Sequence, residues 1–139
     1  MKVYAAMAQK VTAIQNCRQS GNTEWEERHS QALKELIDLM PSGSGIDGGM
    51  QFDEGASSGE KLVFHFSFHH MDKNGMYDRW TDHTLTVRGS LAFGRRLTIS
   101  GRNRNDIKEY LYEIFDSVLT EELEPAGETS PTARSGRKL

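Results

Sequence analysis

Imidazole and hydroxyl side chains alternate along one stretch of the chain in a pattern that could do chemistry. His65, Ser67 and His69 occupy every second position of the run KLVFHFSFHH. Every second side chain of a β-strand points to the same face of its sheet, so these three groups would share one surface. With Asp82 on a neighbouring strand they would supply the residue types of an acid–base or nucleophilic site.

The predicted position of Ser67 argues against catalysis. A serine nucleophile normally lies in a strained turn close to donors that bind an oxyanion. A serine in the middle of a strand has neither feature. We therefore predict no catalytic residues. A solvated face, a binding surface and a hydrolytic site that uses His65, His69 and Asp82 all stay open as interpretations.

The histidine spacing also argues against a metal site. His65 and His69 are four residues apart, roughly 13 Å along a strand, whereas a zinc–nitrogen bond is about 2 Å long. His70 and His83 are separated by a similar span on the opposite face. No metal or other cofactor is predicted.

The dipeptide Asn74-Gly75 predicts how these residues meet. Both central positions of a type I′ hairpin turn need a positive φ, which asparagine and glycine tolerate best. If these two residues form the turn, the apolar residues of both strands fall on one face and the polar residues on the other. The expected opposing pairs are Leu62–Val87, Phe64–Leu85, His65–Thr84, Ser67–Asp82 and His69–Trp80.

A third strand over residues 96–100 would place Arg96 opposite Arg88. Like charges at opposing positions destabilise a sheet unless an anion lies between them. With Arg95, Arg102 and Arg104 these arginines would form a basic cluster. A phosphate or an acidic protein surface would suit it, and solvated arginines at a sheet edge are the alternative.

The N-terminal part of the chain predicts an antiparallel pair of helices. The first helix has Tyr4, Met7, Val11 and Ile14 at helical spacing and ends near Gly21. Thr23 followed by Glu26 forms a capping box, which predicts the start of the second helix, and Pro41 predicts its end. The apolar stripe of this second helix would contain Trp25, Ala32, Leu33, Leu36, Ile37 and Met40.

The remaining segments complete a predicted α+β domain over residues 1–123. Residues 41–49 are expected to be a flexible loop, and residues 50–53 a short edge strand of a three- to four-stranded meander. Asn103 or Asn105 is expected to cap a C-terminal amphipathic helix that packs on the sheet. Beyond Leu123 the composition predicts a disordered tail, residues 124–139.

Composition narrows the function classes further. The formal net charge is −3 over 139 residues, so no global basic field attracts nucleic acid, although a local patch still could. Cys17 is the only cysteine, which excludes an intramolecular disulfide and suits a reducing compartment. No apolar run has the length of a signal peptide or a membrane span. The expected location is the cytoplasm.

Several short strings together resemble a known group of proteins. They are Pro41–Asp47, FHHMD at 68–72, WTDH at 80–83, SLAFG at 90–94 and SGRNRNDI at 100–107. Over roughly residues 8–120 the chain resembles small uncharacterised proteins encoded by bacteriophages, prophages and plasmids. The resemblance implies a bacterial host cell and no mechanism. Small acidic proteins in that setting often bind host machinery, including defence systems.

We therefore predict a non-enzymatic accessory protein that binds a host macromolecular partner. Trp80 would be either an exposed interaction anchor or a structural residue packed over His69. One alternative is a small-molecule or nucleotide-binding protein, and another is a nucleic-acid-binding protein that uses the basic cluster. A homodimer would cover an open sheet or edge strand. The predicted binding residues are His65, Ser67, His69, Trp80, Asp82, Arg88 and Arg96.

Overall fold

Two helices precede a four-stranded antiparallel sheet and one helix follows it, which confirms the predicted α+β class. The computed structural model describes residues 1–43, 45–71, 77–90, 94–101 and 105–123. The elements in chain order are α1 (Val3–Ser20), α2 (Thr23–Ile37), β1 (Ile46–Phe52), a 3-10 turn (Glu54–Ala56), β2 (Lys61–Met71), β3 (Tyr77–Ser90), β4 (Gly94–Ile99) and α3 (Asn105–Leu119).

Helix α1 buries one apolar stripe at the spacing that the sequence predicts. Val3, Met7, Val11 and Ile14 are all buried and recur every three or four residues. Tyr4, which was also expected on the stripe, is partly buried and packs against the core. The stripe therefore anchors α1 to the rest of the domain.

The turn between α1 and α2 is closed by glycine and asparagine. Gly21 adopts a left-handed φ of 74°, which glycine tolerates best, and the Asn22 N–H donates to the Cys17 carbonyl over 2.9 Å. The Asn22 side chain accepts a hydrogen bond from the Trp25 N–H at 3.3 Å, so Asn22 is the N-cap of α2. The predicted capping box at Thr23 is wrong by one residue, because both residue types cap helices and the asparagine comes first.

Trp25 was predicted on the buried stripe of α2, and this is wrong. Its side chain is 48% exposed, and the Arg28 guanidinium lies 4.9 Å from the ring centroid. Leu33 is buried as expected, as is Met40 just beyond the helix end. Because α2 packs chiefly against α1 and not against the sheet, only part of its apolar stripe is covered.

The sheet is an antiparallel meander in the order β1-β2-β3-β4. Every opposing pair predicted between β2 and β3 is present, including Ser67 opposite Asp82. The register shifts by one residue at the end of the hairpin, where Met71 pairs with Tyr77. The predicted turn, Asn74-Gly75, lies outside the described residues.

The apolar face of the sheet packs against α1 and α3. Phe64, Phe66 and Phe68 alternate along β2 and are all buried. The Phe66 ring contacts the ring of Phe115 on α3 edge to face, with centroids 5.4 Å apart. The Tyr112 hydroxyl on the same helix accepts a hydrogen bond from the Ile99 N–H at 3.1 Å. The predicted docking of the C-terminal helix on the sheet is thus confirmed.

Strand β1 begins earlier than predicted and contains a bulge. Residues 46–49, expected as loop, belong to the strand. Asp47 pairs with Ser67 but Gln51 pairs with His65, so three residues of β1 face a single residue of β2. Gly48 and Gly49 have positive φ of 74° and 81°. Such a conformation strains residues that carry a Cβ, so the two glycines permit the bulge.

Strand β4 pairs with β3 in the predicted register, and Arg96 lies opposite Arg88. Arg95 also belongs to β4. Arg102, Arg104 and the predicted tail at 124–139 lie outside the described residues.

Within the described ranges, none of the helices combines the length and the apolar character that a membrane span requires.

Candidate binding site

The polar side chains of β2, β3 and β4 lie on the face of the sheet opposite to α1 and α3, and we call this surface the open face. None of its residues is buried. The pairing of the strands brings all seven predicted binding residues onto this surface. The open face consists of Lys61, His65, Ser67, His69, Trp80, Asp82, Thr84, Thr86, Arg88, Arg96, Thr98 and Ser100.

Trp80 combines the two roles that the sequence left open. Its indole stacks on the His69 imidazole, with ring centroids 4.7 Å apart and an interplanar angle of 25°. The side chain nevertheless stays 48% exposed. The stack therefore orients a large aromatic side chain without removing it from the surface.

Ser67 and Asp82 form a direct hydrogen bond across the two strands. The Ser67 hydroxyl donates to Asp82 Oδ1 at 2.8 Å. Within the described residues, no donor contacts the other carboxylate oxygen of Asp82. That oxygen is therefore available to an external donor.

His65 joins a carboxylate and a hydroxyl that come from different parts of the chain. Its Nε2 lies 2.8 Å from Asp53 Oδ2, and its Nδ1 lies 3.0 Å from Thr84 Oγ1. The hydrogen bond to His65, followed by that from the Ala56 N–H, lowers the pKa of Asp53. An ionised carboxylate only accepts, so a neutral His65 carries its proton on Nε2 and accepts the Thr84 proton at Nδ1.

This connectivity resembles that of a hydroxyl, a base and an acid in nucleophilic catalysis. However, Thr84 lies in mid-strand, where its N–H donates to Ser100 Oγ at 3.3 Å and its carbonyl accepts from the Ser100 N–H at 2.9 Å. The backbone of the candidate nucleophile is thus directed to β4 and cannot stabilise an oxyanion. The geometry favours binding over acyl transfer.

A depression of about 310 Å³ lies beside these pairs, where β1 bulges away from β2. The gap opens opposite Phe66 because the bulge interrupts the regular pairing of the two strands. The depression is lined by Gly49, Gln51, His65, Phe66, Ser67, Asp82, His83 and Thr84.

Three basic residues form a row at the other end of the open face. Lys61 lies opposite Arg88, and Arg88 lies opposite Arg96. Both arginines are exposed. Within the described residues, no carboxylate forms an ion pair with any of the three. We call these residues the cationic row.

Two histidines on the helix side of the sheet contact the same hydroxyl. His70 Nε2 lies 2.8 Å from Thr81 Oγ1, and His83 Nε2 lies 2.7 Å from it. His83 Nδ1 lies 2.9 Å from the Ser100 carbonyl, and its side chain is only 3% exposed. The Cα spacing suggested that the two histidines stay far apart, but their side chains converge on Thr81. Their role is structural, since this face belongs to the core.

Asp53 and Thr84 are contributors to the site that the sequence prediction missed. Asp53 was expected only as the end of a short edge strand. The contribution of Thr84 could have been found from its predicted position opposite His65.

Within the described part of the chain, no group of three or more His, Cys, Asp or Glu side chains is arranged to hold a metal ion.

Comparisons with protein families, with curated proteins and with solved structures find no match to this chain. The resemblance to phage and plasmid proteins therefore stays a prediction from the sequence.

Proposed function

We propose that this protein is a non-enzymatic binding protein that recognises a protein partner through the open face of its sheet. The observation that carries the proposal is the half-exposed Trp80, oriented by its stack on His69. Tryptophan and arginine are, with tyrosine, enriched among the energetically dominant contacts of protein interfaces. An oriented tryptophan also loses little side-chain entropy when a partner binds.

The cationic row supports a partner with an acidic segment. Lys61, Arg88 and Arg96 oppose one another across three strands and would repel. An acidic side chain between them would relieve this repulsion and form charge-assisted hydrogen bonds. The row lies roughly 26 Å from Trp80, because eight residues separate Trp80 from Arg88 along β3. A partner that covers both ends would bury a surface of ordinary interface size.

The charges on the open face favour a protein over a nucleic acid. The cationic row occupies one end, whereas Asp82 lies near the other and Asp53 borders it through His65. A nucleic acid is anionic along its whole length and would meet these carboxylates. A protein surface can instead present both signs of charge. In the bacterial setting that the sequence resemblance implies, the partner would be a host protein.

Site-specific photocrosslinking in a bacterium tests this proposal. A benzoylphenylalanine at Thr98, which is exposed on the open face, should give an adduct with one specific host protein. Trp80→Ala should abolish the adduct, and so should Arg88→Glu combined with Arg96→Glu. Trp25→Ala is the matched control, because Trp25 is also 48% exposed but lies on α2; it should leave the adduct intact.

The other results would overturn the proposal. Absence of any adduct, or equal loss with Trp25→Ala and Trp80→Ala, would mean that the open face binds no protein partner. An adduct that nuclease removes would instead support the nucleic-acid alternative. An adduct with a second copy of this chain would support a homodimer.

A further inference from the structure

The depression beside the β1 bulge has an unusual hydrogen-bonding character. Its hydroxyl protons are already committed to other groups. Ser67 donates its proton to Asp82 Oδ1. When the His65 ring is neutral, its Nε2–H is directed to the Asp53 carboxylate and its Nδ1 accepts the Thr84 proton. With His65 in that form, both hydroxyl oxygens can only accept from a ligand.

The Asp82 carboxylate adds further acceptor capacity and a full negative charge to the described lining. Asp82 is exposed and has one oxygen that no described donor contacts. Among the residues that the structure describes, no lysine or arginine lines the depression. Gln51, on the β1 side, has a side-chain amide that can both donate and accept a hydrogen bond. A ligand that fits must supply donors and, to balance Asp82, a positive charge.

We propose that this depression is a binding site for a guanidinium or primary ammonium group. A guanidinium has five N–H donors and an ammonium has three, and neither accepts a hydrogen bond. The depression offers such a group three acceptor oxygens, on Ser67, Thr84 and Asp82. A volume of about 310 Å³ is about ten times the liquid volume of one water molecule, which is enough for the end of an alkylated cation.

The guanidinium or ammonium group could come from two sources. The site itself does not depend on the protein partner proposed above. The group could belong to a small free amine or guanidine, or to a lysine or arginine side chain of a bound protein. Anionic ligands, including nucleotides, are disfavoured, because they would meet Asp82 and two hydroxyl oxygens that have no proton to offer. The site therefore differs in charge preference from the cationic row on the same face.

Titration with n-butylguanidinium, followed by ¹H–¹⁵N NMR, tests the inference. We expect shifts of the Gly49, Asp82 and Thr84 amides and a Kd on the order of 1 mM, since the group is small and the site open. n-Butylurea is the matched neutral probe, with a similar shape and a carbonyl oxygen in place of one NH2 group, and it should bind at least about tenfold more weakly.

Variants locate the site. Asp82→Asn and Thr84→Val should each weaken n-butylguanidinium binding, the first by about tenfold or more because it removes a charged acceptor. Thr86→Val is the control, as Thr86 follows Thr84 on the same face of β3 but does not line the depression. Preserved amide dispersion in each variant would show that it is folded.

Nα-acetyl-arginine amide distinguishes the two sources. Tighter binding of this probe than of n-butylguanidinium supports a protein side chain, and equal or weaker binding supports a free cation. Equal affinity for the urea, or binding that Asp82→Asn and Thr84→Val leave unchanged, would overturn the site. Absence of any crosslinked partner, together with intact n-butylguanidinium binding, would refute the proposed function alone.

Discussion

The indole of Trp80 and the imidazole of His69 stack at directly opposing positions of β3 and β2, with their ring centroids 4.7 Å apart. Cross-strand aromatic pairs contribute to sheet stability, and this pair also fixes the orientation of a surface residue. The same contact therefore serves both the stability of the hairpin and the shape of the open face.

His69→Ala should lower the free energy of unfolding by about 1 kcal/mol, because it removes the stack beneath Trp80. Urea denaturation would measure the change. His29→Ala is a useful comparison, since its ring lies 5.9 Å from the exposed Trp25 and is tilted by 33°. We expect a smaller loss there; an equal loss would mean that the closer stack contributes nothing extra.

Thr81→Val should destabilise the protein by about 1–3 kcal/mol, because it removes the hydroxyl that contacts buried His83 while keeping the side-chain shape. The same substitution at exposed Thr98 should change the free energy of unfolding by less than about 0.5 kcal/mol. Urea denaturation of both variants would check this. Similar effects at the two positions would show that the buried hydrogen bond is unimportant.

Gly101→Ala should destabilise the protein by more than about 1 kcal/mol. Gly101 has a φ of 99°, and an added Cβ would meet His83 Nδ1 and lie 2.9 Å from the Asp82 carbonyl oxygen. Gly21 has a φ of 74° but nothing within 4 Å of the Cβ position. Gly21→Ala therefore measures the conformational cost alone, and thermal unfolding should show a clearly smaller effect for it.

Asp53→Asn should make the free energy of unfolding depend less on pH in the acidic range. The hydrogen bond from His65 lowers the pKa of Asp53 in the folded protein. The stabilisation by the Asp53–His65 pair is thus fully present above the pKa of Asp53 in the unfolded chain, about 4. It is lost as the pH falls through the lower pKa of Asp53 in the folded protein. Wild type should exceed the variant in stability at pH 7, and the gap should narrow at pH 3.

Urea denaturation at the two pH values measures this gap. Glu109→Gln on the exposed surface of α3 controls for the removal of one carboxylate. A gap that stays constant between pH 7 and pH 3 would contradict the role of the Asp53–His65 pair.

The β2–β3 register could be predicted because two independent local signals agree. Strict alternation assigns the phenylalanines to one face, and the Asn-Gly pair sets which residues oppose each other. The pairs Ser67–Asp82 and His69–Trp80 follow from that register alone. Their contacts could be anticipated because opposing side chains in a sheet are close by geometry.

The contribution of Asp53 could not be predicted in this way. It depends on a bulge at Gly48 and Gly49 and on the 3-10 turn that follows β1, where Asp53 is the N-cap. Neither feature produces a periodic pattern. Gly48 and Gly49 indicate that the backbone is free to adopt unusual conformations, but they do not predict the direction in which the chain continues. The depression beside the bulge was missed for the same reason.

Helical periodicity failed at Trp25 for a related reason. The period correctly identifies which side of α2 faces its neighbour but not how far that neighbour extends. Leu33 is buried, whereas Trp25, eight residues earlier on the stripe, is exposed. Burial depends on the packing partner, which a local pattern does not contain.

Strand β3 spans Tyr77–Ser90, but its pairing with β4 begins only at Leu85. Among the described strands, its first half therefore has β2 alone as a neighbour. Such a segment can open locally without unfolding the core, and its amide hydrogens should exchange with solvent faster than those near Leu85. Trp80 thus lies on a segment whose backbone can adjust to an incoming surface while the core behind it remains intact.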